Sequence, residues 1–225
     1  MHDLLSKMNV QVNNHIYLKD PESSELGRKI LETSISLIDD LGFEEFTFRK
    51  LAKEINSTEA SIYRYFENKH KLLLYLSSWY WGWMEYRLAF CTANIQSAEQ
   101  RLEKAIQLIT ENFQEAENST PIDKTKLNRI VISESSKSYL TKVVDQENKV
   151  GAFAGYKKLV AKIADIVLEI NPTYKYPHML ISTIIEGAHL QRYFSEHLPR
   201  LTDSHKGEDS IKKFYSNLVF SSIKY

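Results

Sequence analysis

The stretch FEEFTFRKLAKEINSTEASIYRYFENKHK, Phe43 to Lys71, constrains this chain most, because its spacing points to two short helices packed across a tight turn. Thr47 is a good N-cap for a first helix running through Ile55, with Leu51, Ala52 and Ile55 at inward spacing and Arg49, Lys50 and Lys53 left outside. Asn56 and Ser57 interrupt that pattern. Asn tolerates the left-handed backbone of a helix exit, and Thr58 is placed to cap a second helix by accepting the N–H of Ser61. The second helix, Glu59 to about Phe66, has Ile62 and Phe66 as its buried stripe. Thr58, Glu59, Ala60, Ser61, Tyr63, Arg64 and Tyr65 are left to the outside. The unit reads as a helix-turn-helix.

A helix docked end-on into a major groove needs small polar groups at its tip for base edges, and hydroxyls and cations further along for phosphates. On that reasoning Thr58, Glu59, Ala60, Ser61 and Arg64 are the candidate base contacts, and Thr47, Tyr63, Tyr65 and Lys69 the candidate phosphate contacts. Lys69 stands where a further helix begins, so its ammonium and the free N–H groups of that helix start are expected to share one phosphate.

The segment resembles the DNA-binding domain of the tetracycline-repressor (TetR) family. The matching positions are Gly42-Phe43, Thr47, Leu51-Ala52, Asn56-Ser57-Thr58, and then Tyr63, Phe66 and Lys69, within a region running from Leu26 to the start of a fourth helix. Two positions depart from the family pattern. Asn56 stands at the usual turn glycine, and Glu59 places an acid near DNA, where phosphates repel it but cytosine N4 can donate to it. The resemblance implies a homodimer paired through its last two long helices. It also implies a near-palindromic double-stranded operator read by two recognition helices about 34–36 Å apart, and a small-molecule effector whose binding releases a repressor.

Charge does not advertise that partner, since 29 basic residues balance 29 acidic ones. Within 43–71, Arg49, Lys50, Lys53, Arg64, Lys69 and Lys71 face Glu44, Glu45, Glu54, Glu59 and Glu67, so placement of a few cations has to matter more than total charge. Cys91 is the single cysteine, which fits a reducing cytoplasm and excludes a disulfide framework. No apolar run approaches the roughly 18 residues of a membrane span, and no signal pattern opens the chain. A soluble, cytoplasmic protein without a membrane partner is expected.

The fold class read from the chain is all-α, in three parts: an arm over 1–19, a three-helix helix-turn-helix domain over 20–70, and a helical effector-binding and dimerisation domain over 71–225. The arm lacks helical periodicity and reads as a partly disordered tail, or as a segment lying along DNA or packing on the domain. Asp20-Pro21-Glu22 reads as the start of the first helix, which carries Leu26, Ile30, Leu37 and Leu41, with Leu31, Ile35 and Ile38 beside them, before Gly42 ends it. A long helix follows Lys69 through Leu72, Leu76, Trp79, Trp83, Tyr86 and Phe90. Its aromatic load, with Tyr80 and Trp81, exceeds what one stripe buries. It reads as core with a second buried face, or as rings lining the seam between domains or a ligand cavity, for which Trp79, Trp83, Tyr86 and Phe113 are the candidates. Further helices are expected over Leu102 to Ala116, about 122–140, about 146–170, about 177–198 and about 209–223, with Gly187-Ala188 letting another helix come close.

Glu186 and His189 form one Glu-x-x-His, the local signature of di-metal carboxylate bundles. Such a site wants a second copy, and none is present. No phosphate loop, zinc spacing or nucleophile elbow appears, so neither a catalytic residue nor a cofactor or metal is expected. The rival readings are an all-α di-metal enzyme carrying a helix-turn-helix-like start, and a dimeric scaffold whose head no longer binds DNA.

Overall fold

The structure is a computed structural model and describes residues 10–111, 122–204 and 209–224. Every regular element among them is helical, in agreement with the all-α expectation. Two compact units are present, one within Met1–Gly82 and Phe113–Gly155, the other within Trp83–Asn112 and Tyr156–Tyr225.

The first unit begins with residues of the arm. Val10 and Ile16 are buried, Asn13 Nδ2 donates to the Val150 carbonyl at 2.7 Å, and the Leu18 N–H donates to the Tyr65 carbonyl at 2.8 Å. Residues 10–19 therefore pack on the domain. Asp20 caps only a 3-10 turn, Pro21–Ser23. The α-helix starts one residue beyond the extended Ser24, whose hydroxyl accepts the Gly27 N–H. This helix, α1 (Glu25–Leu41), buries Ile30, Leu31, Ser34, Ile35 and Ile38, and Gly42 at φ 78° turns the chain out of it. Helices α2 (Phe48–Glu54) and α3 (Glu59–Tyr63) follow. Thr47 and Thr58 cap them through the N–H groups of Lys50 and Ser61, and Asn56 between them has φ 53°. Caps and turn are those read from the sequence. The second helix is shorter than expected, ending at Tyr63 rather than near Phe66.

Helix α4 (Lys69–Thr92) buries side chains all round its axis from Leu72 to Tyr80, and Trp79, Tyr80, Trp81 and Trp83 are all inside. A helix apolar on every side is one that other helices surround. Helix α5 spans Ala98–Thr110, and Glu111 is extended, so the helix expected to reach Ala116 ends earlier, while Phe113 and Ala116 fall outside the described residues. Helix α6 (Lys124–Tyr139) packs along α1, with Arg129 paired to Asp39 at 2.6 Å and Lys126 Nζ on Ser36 Oγ at 2.8 Å. The helix expected over 146–170 is two: α7 (Val144–Lys149) and α8 (Ala154–Ile170). Gly151, at φ 83°, breaks them apart beside Asn13.

The second unit contains most of α8 with α5, α9 (Pro177–His197) and α10 (Ser210–Ser222), where α5, α9 and α10 pack against one another. Gly187 of α9 faces Tyr215 of α10, and a Cβ there would run into the tyrosine hydroxyl. The small residue in mid-helix thus serves a contact within one chain. Arg192 Nη2 ties this corner together, donating to the Thr110 carbonyl at 2.5 Å and to Asp209 at 2.8 Å. No helix among the described residues is long and apolar enough to cross a membrane.

Candidate nucleic-acid interface

The outer face of α3 follows from a core with no slack behind it. Ile62 and Phe66 are fully buried with Phe46, Leu51 and Ile55, so the other side of a five-residue helix has only solvent to face. Thr58, Glu59, Ala60, Tyr63 and Arg64 are exposed, and Ser61 is partly so. Thr58 Oγ1 accepts the Ser61 N–H at 3.2 Å and shares a hydrogen bond with Ser61 Oγ at 2.9 Å, leaving one hydroxyl proton of the pair to point outward. The Tyr63 ring rests edge-on against Phe48, 5.1 Å between centroids, so packing fixes the ring while its hydroxyl end stays outside. Thr47 is exposed at the cap of α2.

Two of the expected phosphate contacts are placed elsewhere. Tyr65 is 3% exposed and its hydroxyl shares a 2.8 Å hydrogen bond with Ser24 Oγ, because the chain after α3 turns its ring inward. Lys69 does stand at the start of α4, but its ammonium faces back toward the corner between α1 and α2. It donates to the carbonyls of Phe43, Glu44 and Phe46 at 2.9, 3.0 and 3.3 Å and lies 4.8 Å from the centre of the Phe43 ring. An ammonium carries three protons, and these three carbonyls take them. Lys69 is a brace.

Lys50 is held by Glu45 and Lys71 by Glu147, whereas Arg49, Lys53 and Arg64 are exposed with no ion-pair partner among the described residues. Arg49 and Lys53 belong on the list of candidate phosphate contacts. Sequence reasoning left them outside the helix without a role, and the available signal was that Lys50 had Glu45 five residues back to occupy it. At the back of the unit, Lys137 pairs with both Glu44 and Glu134, and its side chain holds the Glu44 carboxyl below the usual carboxylate range. Burial lowers the Lys137 ammonium, but the two carboxylates outweigh it and keep the group above its ordinary value.

The expected ligand wall does not assemble within one unit. Trp79 belongs to the first, its Nε1 donating to Glu22 at 3.2 Å. Trp83 belongs to the second, with the Arg87 guanidinium 5.0 Å from its ring, and Tyr86 is 43% exposed. Phe113 lies outside the described residues. Glu186 of the Glu-x-x-His accepts the Tyr156 hydroxyl at 2.9 Å, and His189 is buried with its pKa pushed down to about 4 by that burial. No group of three His, Cys, Asp or Glu side chains that could hold a metal occurs among the described residues.

A capped helix-turn-helix with an exposed polar face on its second helix is the arrangement with which proteins of the helix-turn-helix class enter a major groove. Residues 30–76 match the family of bacterial regulatory proteins described as the tetR family. Among solved structures the chain is similar to AibR in complex with isovaleryl coenzyme A and operator DNA, at 18% identity over 86% of this chain and 98% of that one, TM-score 0.57. It is also similar to the ketosteroid transcriptional regulator KstR2 of Mycobacterium tuberculosis (13% identity, 96% and 97% covered, 0.53) and to the superantigen PfiT (14%, 90% and 97%, 0.56). At such identities the likeness is one of fold. A search of curated proteins gives no match.

Proposed function

We propose that the protein is a homodimeric repressor that binds a near-palindromic operator through α3 and is released by a small-molecule effector. The observation that carries this is the bare recognition face: Thr58, Glu59, Ala60, Ser61 and Arg64 at the tip, flanked by Thr47, Tyr63, Arg49 and Lys53, with no other part of the described chain covering it. The tip residues read base edges, and the flanking hydroxyls and cations hold phosphates.

The dimer is supported by an apolar stripe with no cover in the single chain. Met179, Leu190 and Tyr193 on α9 are 66%, 53% and 39% exposed, and Phe214 and Leu218 on α10 are 59% and 40% exposed. A two-fold axis through such a face buries it against its own copy and yields two recognition helices that meet successive major grooves about 34–36 Å apart. The effector belongs to the second unit, where Trp83 and Tyr86 are the aromatic candidates to contact it. It shifts the equilibrium only so far as it binds the released form more tightly than the DNA-bound form. No catalytic step is assigned to the protein.

Selection of bound sequences from a random duplex pool at moderate salt tests the reading. An enriched near-palindrome bound about 10³-fold more tightly than scrambled DNA is the expected result. Absence of enrichment from folded, dimeric protein refutes it and favours the interaction scaffold. On the selected site, Arg64→Ala is expected to cost about 1–3 kcal/mol, with little loss on scrambled duplex.

A further inference from the structure

The corner between α1 and α2 draws one side chain from its own helices, Lys50 of α2, which donates to the Glu45 carbonyl at 2.7 Å, and its other side-chain contacts come from outside both. The Gly42 N–H completes α1 by donating to Ile38, and the Phe46 N–H donates back to Gly42, which leaves the buried N–H of Phe43 without a backbone acceptor. Glu134, on α6 and 91 residues away in the chain, supplies one: its Oε1 accepts the Phe43 N–H at 3.2 Å. The carboxylate is 7% exposed, and its other oxygen is 2.8 Å from Lys137 Nζ, which also reaches Glu44 at 2.9 Å and lies 5.9 Å from the Phe43 ring centre. Lys69 gathers the carbonyls of the same corner from the other side. The Phe43 amide is thus satisfied by α6, and the carbonyls of Phe43, Glu44 and Phe46 by the first residue of α4, while Lys50 of α2 takes that of Glu45.

We propose that Glu134 is a positioning residue for DNA binding: by holding the Phe43 amide it sets the corner from which α2 springs, and so the direction in which α3 is presented. Helix α2 starts within five residues of Phe43, with Phe46 and Phe48 anchored in the core between, so a corner that moves carries the reading unit with it. Glu134 touches no DNA in this account. Its substitution alters discrimination between sequences, which depends on the placement of α3, while attraction to phosphates by exposed Arg49 and Lys53 is left alone.

The inference rests on the DNA-binding reading, and the test separates the two. Amide hydrogen exchange of residues 43–66 without DNA is compared in wild type, Glu134→Gln and Glu134→Ala, and the same proteins are titrated with the selected duplex and a scrambled one. Gln keeps an acceptor for the Phe43 N–H and Ala removes it. Exchange about tenfold or more faster in E134A, near wild type in E134Q, is expected, with about tenfold weaker binding of E134A to the selected duplex and less than about twofold change on scrambled DNA. Unchanged exchange in E134A, or equal losses on both duplexes, overturns the inference. Should E134A not fold, the Phe43 amide proton resonance decides: it moves when the carboxylate becomes an amide in E134Q, and a static resonance overturns the contact. If exchange behaves as stated while the wild type selects no sequence, the corner's dependence on Glu134 stands and the DNA-binding reading fails.

Discussion

Replacing Lys69 by methionine keeps the aliphatic stem and removes the ammonium, so it isolates what the three carbonyl contacts contribute. Each is a charge-assisted hydrogen bond, at 2.9, 3.0 and 3.3 Å. A bond of that kind is worth about 1.5–3 kcal/mol net when it stands alone. Three bonds on one ammonium do not add fully, and the freed side chain regains up to about 2 kcal/mol of rotamer entropy. The balance is a loss of about 2–4 kcal/mol, because Phe43 and Phe46 are buried and their carbonyls gain poor access to water in exchange. Urea unfolding followed by tryptophan fluorescence and by circular dichroism is the assay, with DNA binding measured across a salt series on the same preparation. Lys69→Met is expected to unfold at markedly lower urea and to keep the wild-type salt slope per bound dimer. Wild-type stability within about 0.5 kcal/mol, together with a slope smaller by about one per Lys69 lost, would mean that the ammonium neutralises a phosphate and that the brace is wrong.

Further expectations rest on single features. Asn56 is exposed at φ 53°, so Asn56→Ala is expected to lose about 1 kcal/mol in denaturant titration while Asn56→Gly stays within a few tenths; equal losses would show that the left-handed backbone is not what Asn56 provides. Gly187→Ala gains about 1 kcal/mol of helix propensity but drives a methyl into the Tyr215 hydroxyl, at a cost of about 1–3 kcal/mol. Net destabilisation is expected, partly recovered in combination with Tyr215→Phe, and a thermal scan that shows stabilisation contradicts the packing. His189 is neutral in the folded chain, its pKa lowered from 6.5 to about 4 by burial, whereas the unfolded chain takes up the proton near 6.5. Its contribution is therefore complete above pH 6.5 and is lost as pH falls toward 4. Between pH 7 and 5 the loss amounts to about 2 kcal/mol. His189→Gln should show a shallower fall in stability over that range, and parallel curves for the two proteins would exclude the buried imidazole as the cause.

The reading unit was legible because its signals are local. A cap needs one side chain and an N–H three residues on, and both Thr47 with Lys50 and Thr58 with Ser61 take the positions their spacing implies. Asn56 adopts the left-handed turn for the same reason, and Gly42 ends α1 where the apolar period stops. Composition and period likewise settled that the chain is helical, since runs such as Leu159, Val160, Ile163, Ala164 and Val167 describe one buried stripe of α8. Breaks were less visible. Gly151 splits an apolar pattern that reads continuously across 146–170: at φ 83° it closes α7, with the Ala152 N–H reaching back to the Glu147 carbonyl, and a Cβ there would also run into Asn13 of the arm.

By itself, then, the sequence determined that there are helices, where most of them are capped, and that two of them form a helix-turn-helix with a polar tip. Only the tertiary structure decided what each outward-looking residue does. Lys69 and the Phe43 carbonyl are 26 residues apart, Tyr65 and Ser24 are 41 apart, and Glu134 and the Phe43 amide are 91 apart. Helical periodicity says which way a side chain leaves its own helix. It carries nothing about which distant backbone group lies there to meet it, and that encounter turns two expected phosphate ligands into internal contacts and brings α6 into the DNA-reading unit.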